Sequence, residues 1–118
     1  MLRPVADVTT RTLQAALGGL DARQRAIASN VANIETPNYR ATRVNFEDSL
    51  RAALRSGGDP QEANIGVERS NAATRMNGNN VNMDIELVEQ TETLLRTQLV
   101  VQALNHKYSM LRTAITGQ

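Results

Sequence analysis

A mainly α-helical fold is predicted: two long terminal helices packed antiparallel in coiled-coil fashion, joined by a short helix and an irregular middle segment that holds a small β-hairpin. Three observations carry the prediction. Apolar residues recur at spacings of three and four near both ends of the chain. Between them lies a stretch rich in turn formers and poor in large apolar residues. Of 118 residues only Tyr39, Phe46 and Tyr108 are aromatic, too few to fill a large globular core. The expected layout is one domain over residues 1–118, with an N-terminal helix at 9–34, a turn, short helix and loop at 35–82, and a C-terminal helix at 83–114.

The N-terminal helix is marked by Leu13, Leu17, Leu20, Ile27, Val31 and Ile34, with Gln24 in the one polar place of that spacing. Asp7 is its expected N-cap. Gly18 and Gly19 lie within the pattern, and each weakens a helix by about 1 kcal/mol relative to alanine. The helix must end near Ile34, because Pro37 holds Thr36 in extended geometry and cannot continue the ladder. Asn38 tolerates a left-handed turn. Asn30 and Asn33, three apart on the last helical turn, can offer amide donors and acceptors to a returning or neighbouring backbone.

The stretch "NFEDSLRAALRSGG" predicts a short helix capped by Asn45, with Asp48 three residues later, and stopped at Gly57-Gly58. From there to about Asn80 the chain reads as loop, with the small hairpin around Ile65 to Val67. Asn82 caps the C-terminal helix. Leu87, Leu94, Val101, Tyr108 and Ile115 lie seven apart there, Leu104 and Leu111 form a second row, and Val88, Leu95 and Leu99 widen the stripe beyond what one partner helix covers. Asp84, Glu86 and Glu89 near its start and Lys107 and Arg112 near its end agree with the helix dipole.

Charge and motifs exclude several functions. Residues 1–58 carry eight arginines against five acids, but the two signs alternate and no aromatic platform accompanies them, which argues against nucleic-acid binding. No apolar run approaches the roughly 20 residues that cross a bilayer, so direct membrane insertion is not expected. The start "MLRPVADVTTRT" lacks the apolar centre of a secretory signal, so no cleaved leader is expected. His106 is the single histidine and cysteine is absent, so a zinc site has no usual ligand set. Ser29 and Ser109 have no paired base, and "NGNNVNMD" lacks the acidic ligands of a calcium loop. The chain reads as non-enzymatic, with no cofactor.

"IASNVANIETPNYRA" resembles the N-terminal signature of the flagellar basal-body rod proteins, in which an Asn-hydrophobic-Ala-Asn stretch precedes Thr-Pro and a tyrosine. "GNNVNMDIELVEQTETLLRTQLVVQALNHKYSMLRTAI" resembles the C-terminal region of the same family, and the short chain is most similar to its proximal-rod members. Asn38 stands where glycine is usual, and Thr97 where tyrosine is common. The resemblance implies a structural subunit of the bacterial flagellar basal body, located in the periplasmic rod and delivered by type III export. Its terminal helices would pack into a hollow drive shaft that transmits torque and conducts exported subunits. Implied partners are copies of itself, sister rod proteins, the rod-base adaptor and the export gate. Asn30, Asn33, Thr36, Pro37 and Tyr39 would then form a subunit-contact turn. Leu13, Leu17, Leu20, Ile27, Val31, Leu87, Leu94, Val101, Leu104, Tyr108 and Leu111 would form the helix seam, and Gln98 and Asn105 would bond across an interface. A soluble helical adaptor or chaperone-like module, using the same seams for one transient partner, is the alternative.

Overall fold

The computed structural model describes residues 5–117. Helix α1 spans Val5–Ala32, strand β1 Thr42–Asn45, helix α2 Glu47–Arg55, strand β2 Gly66–Arg69 and helix α3 Met83–Thr116. A single 3-10 turn, Pro60–Glu62, lies between α2 and β2. The long helices run antiparallel: Asn30 meets Glu86 at one end of the pair and Gln14 meets Tyr108 towards the other. None of the described helices is long and apolar enough to cross a membrane.

α1 is already helical at Val5, so Asp7 lies inside it rather than at its cap. It stops at Ala32, and Ile34 falls in the turn. Asn38 has φ 63°, the left-handed conformation expected of it. β1 has no clear signature in the sequence. It pairs antiparallel with β2, Thr42 opposite Arg69 and Asn45 opposite Gly66, so the strand expected near Ile65 takes a partner from across α2. This overturns Asn45 as a helix cap. Its backbone belongs to the sheet, and the residue at the cap of α2 is Phe46, with no side-chain cap bond. Burial decides the matter: the Phe46 ring lies in a core with Leu20, Ala26, Val44 and Leu50, and burying an aromatic outweighs one cap bond of about 1 kcal/mol. Asn82 does cap α3, accepting from Asp84 N–H at 2.9 Å.

Gly19 explains how the ring fits. A Cβ there would overlap the Phe46 ring, whereas one at Gly18 would meet nothing within 4 Å. The N-terminal half of α1 is tied to the 3-10 turn by a two-pronged Arg11–Asp59 pair.

The orientation of α3 differs from the expected seam. Its buried residues are Glu86, Thr93 and Leu104, with Gln90, Thr97, Val100 and Lys107 half-buried beside them. Leu87, Leu94, Val101, Tyr108 and Leu111 are between 41% and 53% exposed. Of the α3 residues expected in the seam, only Leu104 is buried within the chain. The helix is rotated so that the neighbouring face turns inward. Two facts account for this. Glu86 reaches inward to Arg43 and Asn30, and the Thr93 and Thr97 hydroxyls bond back to the carbonyls of Glu89 and Thr93, each at 2.7 Å. Their polar atoms are satisfied within α3, so their methyl groups can be offered to α1. On α1, Leu20 and Ile27 are buried and Leu13, Leu17 and Val31 half-buried.

Candidate functional site: an asparagine clasp and an uncovered helix face

The two stretches that carry the family resemblance fold onto each other. Asn30, on the last turn of α1, is wholly buried. Its Oδ1 accepts from Thr42 N–H at 2.8 Å and from the Tyr39 hydroxyl at 3.3 Å, and its Nδ2 donates to Thr42 O at 3.0 Å and Glu86 Oε2 at 3.1 Å. The amide thereby mimics a strand and pairs with the backbone of β1. Glu86 is sealed beneath it, with Arg43 Nη2 2.8 Å from Oε1 but off the hydrogen-bonding direction, so this contact is ionic. Arg43 supplies the positive charge that a buried carboxylate needs.

Asn79 and Asn80 hold the other side. Asn79 Nδ2 donates to the carbonyls of Asn33 at 2.9 Å and Thr36 at 2.8 Å, while its Oδ1 accepts from Val81 N–H. Asn80 Oδ1 accepts from Ala41 N–H at 2.7 Å, and its Nδ2 donates to Ser70 O and Ala72 O. Arg75 donates to Val81 O and to Ile34 O, just beyond the end of α1 where carbonyls point outward. Gly78, at φ 82°, lies against Asn38 so closely that a Cβ would collide with its side chain. Loop backbone buried without a ladder must find side-chain partners, and the three asparagines are those partners.

A second cluster ties the three helices together. Arg23 of α1 forks onto Glu47 of α2 at 2.8 and 2.7 Å and also donates to Val44 O. Arg96 of α3 reaches the same carboxylate at 2.7 Å, and Arg23 lies over the Phe46 ring, 4.9 Å from its centroid. The Arg23 hydrogen bonds are the chief reason that the Glu47 carboxyl is held down to about 2.

The expected turn residues divide into two groups. Asn30 is wholly buried, with its side-chain polar atoms all engaged inside its own chain. Tyr39 is half-buried, its hydroxyl 3.0 Å from Ser29 Oγ. Asn33 braces the turn, donating to Ser29 O at 2.8 Å and accepting from Thr36 Oγ1 at 3.1 Å. Thr36 and Pro37 are exposed at the tip, and Gln98 and Asn105 are exposed beside the uncovered row of α3. Arg43, Arg75, Asn79 and Asn80 are not named as site residues by the sequence, and Glu86 is read there only as a helix-dipole charge. The crowding of asparagines in "NGNNVN" is the signal that points to two of them.

A family model described as Flagella basal body rod protein matches residues 11–40, most of α1 and the turn. Similarity to the flagellar basal body rod protein FlgB of Bacillus subtilis extends much further, at 32% identity over 121 residues, covering 92% of this chain and 94% of the relative. The chain belongs to the FlgB family of flagellar basal body rod proteins. FlgB of Cereibacter sphaeroides is 31% identical over 110 residues, covering 83% of this chain and 86% of its own. The flagellar basal-body rod protein FlgG of Agrobacterium fabrum is 42% identical over 60 residues, which is 48% of this chain and 23% of FlgG. As a FlgB-family member the protein is a structural rod subunit of the flagellar basal body, and not an enzyme. The clasp suits such a protein: it locks backbone to backbone.

Proposed function

We propose that this FlgB-family subunit enters the rod through the uncovered side of α3, with α1 and α3 contributing to the wall of the hollow shaft. One observation carries the reading. Among the described residues α3 exposes twelve large apolar side chains, from Met83 to Ile115, against nine buried hydrophobic residues in all the described elements and loops together. So much uncovered apolar surface on one helix marks an interaction face. Leu87, Leu94, Val101, Tyr108 and Leu111 meet neighbouring subunits, and Gln98 and Asn105 on the same side hydrogen-bond to them. Thr36 and Pro37 at the turn tip make a second, smaller contact.

In this reading the partners are copies of the chain and sister rod proteins such as FlgG, with the rod-base adaptor and the type III export gate met during assembly. The subunit lies in the periplasmic part of the basal body. The test is a Leu87→Asp, Val101→Asp double variant in cells lacking the wild-type gene. Secreted, helical monomer without rods or motility is the expected outcome. Normal swimming would refute the assignment of this face.

A further inference from the structure

Apolar exposure on α3 extends to its other flank. Val88, Leu95 and Leu99 are exposed there, and Leu99 forms one wall of an open cavity of about 400 Å³ whose other walls include Phe46, Leu50 and Leu54. Arg51 and Arg96 stand at its rim. Glu47, the one acid among the described lining residues, is paired with Arg23 and Arg96, and Arg51 shares only an exposed pair with Asp48. The lining therefore carries two arginines against one acid, a small positive excess.

The first third of α3 has the opposite sign. Between Met83 and Leu95 its surface carries Asp84 and Glu92, exposed, and Glu89, half-buried, with no basic residue, while Glu86 is buried. Val88, Glu92 and Leu95 recur at spacings of four and three, so they share one face and place a carboxylate between two exposed apolar side chains. We infer that this strip of one copy docks into the arginine-rimmed groove between α2 and α3 of the next copy. Leu95 or Val88 fills the cavity and Glu92 faces Arg51. The inference rests on the reading that the exposed surface of α3 is an assembly surface, and it names the receiving site. Strip and groove adjoin on the same flank of α3, but the strip of one copy meets the groove of the other, so the contact is heterologous. It propagates from copy to copy instead of closing a pair, as an axial assembly requires.

The sequence contains no cysteine, so introduced thiols report alone. Leu54→Cys and Val88→Cys chains, co-produced at full length in cells without the wild-type gene, should give a disulfide-linked dimer in oxidised basal bodies, and neither chain should do so by itself. Arg51→Glu or Glu92→Arg added to the matching chain should lower that dimer about two- to fivefold, the range for one exposed ion pair, and the two together should restore it. Dimer formed by the Val88→Cys chain alone would show a symmetric strip-to-strip contact and overturn the proposal. So would rods that assemble from the two chains without any disulfide between positions 54 and 88. If the Leu87→Asp, Val101→Asp subunit still builds working rods, the broader reading falls. If that subunit fails while the thiols do not link, only this docking falls.

Discussion

At the scale of single residues, neighbouring identical glycines have opposite roles. Gly18→Ala gains helix propensity in open space and should stabilise the free protein by about 0.5–1 kcal/mol. Gly19→Ala makes the same local gain but drives a methyl into the Phe46 ring, and overpacking of that kind costs about 1–3 kcal/mol. Urea melts of the two variants should move in opposite directions. Glu47 supplies a pH dependence. Its folded value of about 2 lies below the ordinary 4.5, so its stabilisation is fully present above about pH 5 and is lost as pH falls through about 2. Glu47→Gln should therefore be less stable than wild type at neutral pH, and the gap between their melting temperatures should narrow between about pH 5 and 2.

At the scale of elements, the rotation of α3 is decisive. Leu104→Ala should destabilise the free subunit by about 2–4 kcal/mol, because it empties a buried site. Val101→Ala, three residues earlier on the exposed side, should cost less than about 1 kcal/mol. Equal losses in chemical denaturation would mean that the apolar stripe, and not the Glu86–Thr93–Leu104 face, packs on α1. The helices themselves were legible from the sequence, since their period, the stop at Pro37 and the Asn82 cap are local properties. The inward face of α3 was not legible. Hydrophobicity favours Leu87, Leu94 and Val101, and nothing local reveals that Thr93 and Thr97 satisfy their own hydroxyls or that Glu86 is met by Arg43. β1 was hidden for a related reason: Asn45 reads as a cap until its distant partner Gly66 is known. Of the site, Asn30, Asn33 and Tyr39 were visible as unusual residues, and Asn79 and Asn80 stood out as part of an asparagine cluster, but nothing local shows which carbonyls and amides they meet.

The whole molecule is a blade. Its extents are 63 × 30 × 14 Å and its radius of gyration 18.0 Å, against about 13.5 Å for a compact chain of this length. A body so thin has little interior, and the buried cluster sits to one side, between α1, β1 and α2. The far end of α3 has no such support. From Asn105 to Gly117 every residue but the half-buried Lys107 is exposed. Limited proteolysis of dilute monomer should accordingly cut first beyond Leu104 and leave a fragment held by the clasp. Mass spectrometry of the products checks this, and early cleavage between Asn30 and Ala41 would contradict it.

The asparagine clasp also sets an order of events in time. Asn33 and Asn79 are 46 positions apart, with both strands and α2 lying between them. A polypeptide that emerges N-terminus first from a narrow passage presents α1 and the turn while the segment that closes them is still inside. Until Asn79 and Asn80 arrive, the carbonyls of Asn33 and Thr36 and the Ala41 amide remain hydrated, and contacts of such long sequence separation form slowly. If the subunit is delivered through such a passage, as proposed above, it closes late: it stays pliable through most of its delivery and becomes rigid only when the start of its last helix is out.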